Sequence, residues 1–76
     1  MSGKMSTVLV FKTSVQNTTH VHQLQKGLDR LINKNGRWNF DLEDCDNIFR
    51  VETKRPNPTA ITRLFYTRGF RCEELT

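Results

Sequence analysis

The stretch Ser14–Leu31, SVQNTTHVHQLQKGLDRL, decides how the rest of the chain folds. Its pattern is typical of the end of a strand, then a polar loop, then an amphipathic helix. The apolar residues of the helical part recur at spacings of three and four, so they share one face: Val21, Leu24, Leu28 and Leu31. The sequence therefore predicts a helix that packs this face against the remaining elements.

The polar loop offers several residues that can begin the helix. Asn17, Thr18 and Thr19 are all good N-cap residues, because a short side-chain oxygen accepts hydrogen bonds from the free N–H groups of the first turn. The pattern does not decide between them. The helix is expected to end near residue 33, with Asn35-Gly36 providing a left-handed exit.

Working outward, four stretches rich in β-branched and aromatic residues predict strands. They are Thr7–Val15, Arg37–Leu42, Ile48–Thr53 and Phe70–Leu75. A second helix is expected before the last strand, because Asn57 can cap it, Pro58 suits its first position and Gly69 suits its C-terminal exit.

The order strand, helix, strand, strand, helix, strand favours an α+β fold. It is the pattern of a ferredoxin-like βαββαβ sandwich, with an antiparallel sheet in the order 4-1-3-2 and both helices on one face. We expect residues 7–76 to form one domain, preceded by a flexible N-terminal tail at residues 1–6.

The loop and helix also resemble the heavy-metal-associated (HMA) domain of copper chaperones and metal-pumping ATPases. That family reads roughly G-M-x-C-x-x-C-x-x-x-V-x-x-A-L-x-x-L. Here Ser14 and Val15 stand for the Gly and the Met. Leu24 stands for the Val, Gly27-Leu28 for Ala-Leu, and Leu31 for the last Leu. Near the other end, Gly69-Phe70-x-Cys72 resembles the family's Gly-Tyr-x-small segment.

The resemblance fails at the two residues that carry the family's chemistry. Asn17 and His20 stand at the two Cys positions, so both metal-binding thiols are missing. Soft ions prefer sulfur, and His20 alone supplies one nitrogen. The degenerate loop positions are Val15, Asn17 and His20, and no tight copper binding is expected from them.

A different metal site remains open as an alternative. In this fold, the hairpin between the second and third strands lies at the same end as the first loop. His20 could therefore combine with Asp44, Cys45 and Asp46 to bind zinc or copper weakly. Such acidic hairpins are more often solvated turns.

Nucleic-acid binding is the less favoured alternative. RNA-recognition domains of this architecture display aromatic residues on the open face of their central strands. Here alternation assigns Phe11, Trp38, Phe40, Phe49 and Phe70 to the core side instead. A basic end is expected from Lys34, Arg37, Lys54 and Arg55, which we treat as possible partner contacts.

Composition limits the classes of protein further. The 76 residues carry a formal net charge of +4, with no apolar stretch long enough to cross a membrane and no apolar core of a signal peptide. Two cysteines do not make a disulfide framework, and Cys72 is expected in the core. We expect a cytoplasmic protein without membrane insertion.

The sequence thus predicts a small non-catalytic domain that acts through contacts with an unknown protein partner. No nucleophile elbow, phosphate-binding glycine loop or carboxylate pair in an evident cleft is recognisable. We expect no cofactor and favour a monomer. The metal-binding and nucleic-acid-binding alternatives stay open at this point.

Overall fold

Six secondary-structure elements follow one another in the predicted order. The computed structural model describes residues 6–32, 36–43 and 46–75. In chain order the elements are β1 (Thr7–Thr13), α1 (Thr18–Ile32), β2 (Gly36–Asp41), β3 (Ile48–Thr53), α2 (Pro58–Thr67) and β4 (Cys72–Glu74). Residues Lys34, Asp44 and Cys45, named above as candidates, lie outside the described ranges.

The four strands form one antiparallel sheet in the order β2-β3-β1-β4. Read from the other edge this is 4-1-3-2, as predicted for the ferredoxin-like fold. The central strands β1 and β3 pair residue by residue, with Leu9 opposite Val51 and Phe11 opposite Phe49. All four of these side chains are buried, which confirms the inward face assigned by alternation.

The core lies between the sheet and the two helices. Phe49 is at its centre, because its ring lies 4.9 Å from that of Phe40, 5.2 Å from Phe65 and 5.9 Å from Phe11, measured between centroids. Strand and helix residues share this core: Leu9, Phe11, Val15, Leu24, Leu28, Ile32, Phe49, Val51, Ile61, Phe65, Phe70 and Cys72. These residues come from β1, α1, β3, α2, β4 and the loops beside them, and Trp38 and Phe40 of β2 pack against them, so the hydrophobic contribution to stability depends on all six elements.

The predicted apolar face of α1 is wrong at its last position. Leu31 is 37% exposed, whereas Ile32 is 3% exposed and belongs to the core. The buried positions of α1 are Leu24, Leu28 and Ile32, which are spaced by four residues. Residues three and four positions after Leu28 can both lie on its helical face, so only the position of the sheet decides whether Leu31 or Ile32 is buried.

Gly36 does not form the predicted left-handed exit from α1, and residues 33–35, including Asn35, lie outside the described ranges, whereas the predicted exit from α2 is confirmed. Gly36 begins β2 opposite Thr53, and a Cβ there would overlap the backbone carbonyl oxygen of Glu52. Gly36 is thus required for close approach of two strands, not for a left-handed turn. Gly69 has φ +86°, the left-handed conformation expected after a helix.

Two strands are shorter than the sequence predicted. β1 ends at Thr13 rather than Val15, and β4 begins at Cys72 rather than Phe70. Among the residues left outside the strands, Val15 is fully buried and Phe70 is 8% exposed. These two contribute to the core from the loops, so the hydrophobic alternation continues past the ends of the strands.

A hydrogen bond joins the edge strand β2 to α1, next to the place where Trp38 packs against the core. The Trp38 Nε1–H donates to the Asp29 carboxylate at 3.1 Å, and Asp29 is half-buried rather than on a fully exposed face. Within the described ranges, neither helix is long and apolar enough to cross a membrane.

Candidate functional site

The first loop begins where Thr13 ends β1. The Thr13 hydroxyl donates to the Asn47 carbonyl oxygen at 2.7 Å and accepts from the Val15 N–H at 3.1 Å. Its own N–H points to the Asn47 carbonyl oxygen at 3.2 Å. One buried threonine therefore joins the strand, the loop and the end of the β2–β3 hairpin.

Ser14 and Val15 fix the loop from both sides. The Ser14 hydroxyl oxygen accepts from the Arg71 N–H at 2.8 Å, and the Ser14 N–H donates to the Arg71 carbonyl oxygen at 3.2 Å. Val15 is fully buried in the core. This part of the loop is bound to the start of β4 and to the core, which leaves the residues after Val15 to form its outer surface.

Asn17 is the N-cap of α1. Its side-chain oxygen accepts from the His20 N–H at 2.9 Å, and its carbonyl oxygen accepts from the Val21 N–H at 3.2 Å. The choice left open among Asn17, Thr18 and Thr19 is thereby decided, and Thr18 becomes the first helical residue.

His20 turns back over the loop. Its Nδ1 accepts from the Gln16 N–H at 3.1 Å, and its ring lies 5.0 Å from the Phe70 ring between centroids. The arrangement resembles a capping box in which histidine replaces the usual Glu or Gln, except that the His20 ring accepts from the N–H of Gln16, one residue before the cap. The ring packs against the loop that leads into β4.

These contacts decide what the two positions can bind. The Asn17 side-chain oxygen and the His20 Nδ1 both already accept backbone hydrogen bonds. The Nδ1 lone pair of His20 is thus engaged by the backbone of the loop. The residues present therefore do not fit the thiolate-bound soft ion of the HMA family.

The alternative site at the hairpin is only partly covered by the structure. The Asp46 carboxylate lies 3.8 Å from Lys12 Nζ, and both side chains are about half exposed. Across residues 6–32, 36–43 and 46–75, no group of three or more His, Cys, Asp or Glu side chains could hold a metal ion. Asp44 and Cys45 fall outside those ranges, so the arrangement with His20 stays a prediction.

Three of the four residues predicted for the basic end lie in the described chain. Arg37, Lys54 and Arg55 are exposed, and Arg37 lies directly opposite Glu52 in the β2–β3 register. An opposite charge on the neighbouring strand offsets part of the positive field. Lys34, the fourth candidate, is outside the described residues.

The open face of the sheet carries alternating charges and aliphatic side chains. Its rows run across the strands as Arg37–Glu52–Val8, then Asn39–Arg50–Val10, then Asp41–Ile48–Lys12–Glu73. The described part of this face has no aromatic side chain on which a base could stack, because Trp38 and Phe40 pack against the core.

Cys72 lies on the buried face of β4, as predicted. It is 7% exposed, and burial raises the pKa of its thiol from an ordinary value of 9.0 to about 12. A thiol that stays protonated is a poor nucleophile and a poor metal ligand. Cys72 is therefore part of the core.

Three features escaped sequence reasoning. His20 as a partner of the loop backbone could have been suspected from the N-x-x-H spacing, which mimics a capping box. The Trp38–Asp29 hydrogen bond joins elements whose relative position only the fold sets. The third feature is a groove between α1 and α2, which is rimmed by arginines from both helices.

Comparisons with protein-family models, with curated proteins and with solved structures find no match to this chain. The resemblance to the HMA family therefore rests on the residues quoted for it above.

Proposed function

We propose that this chain is a non-catalytic, HMA-like binding domain that acts through protein contacts and has no tight site for copper. In this proposal, the loop that holds metal in the family has become a helix cap. Its role is to fix the start of α1 and the edge of the core.

One observation carries the proposal. The side chains at the two former cysteine positions bond the loop's own backbone, Asn17 to the His20 N–H and His20 to the Gln16 N–H. A ligand that recruited both side chains would break both hydrogen bonds. It would also expose backbone N–H groups at the helix start that then lack a protein partner.

Protein contacts are the activity that the remaining surface supports best. Several apolar side chains are exposed on both faces of the sandwich, with Val8 at 56%, Leu75 at 44% and Tyr66 at 66%. Charged side chains of both signs lie between them on the open sheet face. Interfaces between proteins commonly combine such apolar and charged surface.

Metal titration of the full chain tests the proposal. We expect neither monovalent copper, under reducing conditions, nor zinc to give a tight one-to-one complex or to shift the backbone amides of residues 16–22. The matched control is the Asn17→Cys, His20→Cys double variant, with each single variant beside it. Its two thiols would lie at the cap and the third helical position and could converge on one ion. The lost cap is expected to cost about 1–2 kcal/mol.

Two outcomes would count against this reading. A tight complex of the wild-type chain would overturn the loss of metal binding. If that complex disappeared in Cys45→Ser, the site of His20, Asp44, Cys45 and Asp46 would be the better account. A folded double variant that binds no more tightly than the single variants would show that the loop is wrongly aligned with the HMA family.

A further inference from the structure

The two helices leave an open groove on the side of the molecule facing away from the sheet. Its volume is about 540 Å³, and it runs between the second half of α1 and the length of α2. The floor is aliphatic, formed by Gly27, Leu31, Ala60 and Leu64. None of these four residues belongs to the fully buried core, and Leu31 is 37% exposed.

Gly27 gives the floor its shape. A Cβ at this position would lie 2.7 Å from Leu64 Cδ1, closer than carbon atoms normally approach. The absence of a side chain lets Leu64 lie directly against α1. Leu64 and Leu31 line the same groove on either side of this close approach.

The rim of the groove is basic. Arg30 comes from α1, whereas Arg63 and Arg68 come from α2, and all three are exposed. No acidic side chain lines the groove among the described residues. Within the described ranges, none of these three arginines forms an ion pair. Three uncompensated guanidinium groups thus surround an apolar floor.

Helix chemistry explains two of the arginines but not the third. Arg30 lies in the last turn of α1 and Arg68 is the C-cap of α2, where the helix dipole favours positive charge. Arg63 lies in the middle of α2 and gains nothing from a helix end. Arg63 is therefore the one of these three arginines whose charge no helix end stabilises.

We propose that this groove binds an acidic peptide segment of a partner protein, with an aliphatic side chain placed on the Leu31–Leu64 floor and carboxylates paired with Arg30, Arg63 and Arg68. Guanidinium groups bind carboxylates in bidentate geometry, and a concave apolar floor with a few convergent polar groups is typical of a binding site. The inference rests on the proposed function, since it names where and what such a domain would bind.

The lining favours a peptide over a nucleic acid. Arginines also bind phosphate, but single-stranded nucleic acids need aromatic side chains on which bases stack. Leucine and alanine form the floor here, and no aromatic residue lines the groove among the described residues. An aliphatic anchor between carboxylates matches both the floor and the rim.

The test is a titration of the labelled full chain with a synthetic peptide, followed by the NMR shifts of the backbone amides. The peptide has about twelve residues that alternate Glu with Leu, which is long enough to span roughly two or three helical turns. We expect the amide shifts to cluster at Gly27, Leu31, Ala60 and Leu64. A peptide with every Glu changed to Gln should bind roughly fivefold more weakly or worse, because it loses its charge pairs with the three arginines.

Three variants of the protein separate the groove from general charge effects. Arg63→Glu should weaken binding roughly fivefold or more, since reversal removes one attraction and adds a repulsion. Ala60→Glu should also weaken it while keeping the fold, because Glu is favoured at the third helical position after the Asn57 cap. The matched control is Arg50→Glu, which makes the same charge change on the open sheet face and should leave the affinity within about twofold.

The groove is the wrong site if the peptide does not bind, if the shifts lie elsewhere, or if Arg50→Glu weakens binding as much as Arg63→Glu. A single-stranded oligonucleotide that shifts the same amides at lower concentration would overturn the peptide assignment. Peptide binding at the open sheet face would reject the groove while leaving the proposed protein-binding function intact. Tight metal binding at residues 16–22 would reject that function independently.

Discussion

At the residue scale, polar side chains near the first loop serve the backbone before they can serve a ligand. Thr13 joins three segments through its hydroxyl and N–H, while Asn17 and His20 bond the backbone of the loop and the first helical turn. The Thr13 hydroxyl satisfies a buried backbone group, whereas the Asn17 and His20 bonds lie at the exposed start of α1, where they cap the helix. Cys72 differs from these polar side chains, because its polarisable thiol packs in the core as an apolar group.

Because the Cys72 thiol is buried, the stability of the folded chain should depend on pH in the alkaline range. In the folded chain burial raises its pKa to about 12, whereas in the unfolded chain it loses its proton near 9.0. Between these values the folded state holds more protons, so the free energy of unfolding should fall as pH rises through this window. We expect a steeper fall in the wild-type chain than in Cys72→Ala, measured by urea unfolding at a series of pH values. Equal slopes would contradict the burial of Cys72, since Cys45 is present in both proteins.

At the element scale, local residues specify both ends of α2. Asn57 caps its start by accepting from the Ala60 N–H at 3.2 Å, and Pro58 occupies the first helical position. At its other end, the Phe70 N–H donates to the Phe65 carbonyl oxygen at 2.9 Å and the Gly69 N–H to that of Tyr66 at 3.0 Å. This pair of bonds is a Schellman motif, and it directs the buried Phe70 back onto the core.

Replacing Gly69 tests this helix end through the backbone alone. No atom lies within 4 Å of a Cβ placed on Gly69, so Gly69→Ala creates no clash. We expect it to destabilise by about 1–2 kcal/mol, the cost of left-handed φ for an ordinary residue. Gly69→Asn is the matched control and should cost less, since Asn tolerates this conformation. Denaturant unfolding measures both, and an equal or smaller loss in Gly69→Ala would contradict the left-handed assignment.

At the scale of the whole molecule, stability depends on a core in which one ring contacts several elements. Phe49 of β3 contacts Phe11 of β1, Trp38 and Phe40 of β2, and Phe65 of α2. A chain of this length has a total stability of about 4–11 kcal/mol, from roughly 0.05–0.15 kcal/mol per residue. The loss of one central side chain is therefore a large fraction of the total.

Truncation of Phe49 should test this arrangement of the core. We expect Phe49→Ala to lower the free energy of unfolding by about 3–5 kcal/mol, because it leaves a cavity among rings from three other elements. Tyr66→Ala, at a residue that is 66% exposed, should change it by less than about 0.5 kcal/mol. Thermal or chemical denaturation gives both values. Similar effects at the two positions would show that the core is not centred on Phe49.

The chain by itself determined the sequence of elements and the inward side of most of them. Period-two alternation placed Phe11 and Phe49 correctly, because a residue's face on a strand follows from its position along the strand. Asn57, Pro58 and Gly69 marked the ends of α2, since their effects on the backbone are local. Four strands and two helices in this order leave few topologies, and the ferredoxin-like one is observed.

Only the tertiary structure decided which of several locally acceptable options was used. A helical face can continue from Leu28 to Leu31 or to Ile32, and the position of the sheet selected Ile32. Gly36 suits a turn by composition, but the approach of β2 to β3 uses it for space. The arginine-rimmed groove joins residues from two helices that are distant in the sequence. These features depend on distances between elements, and a one-dimensional pattern carries no such distances.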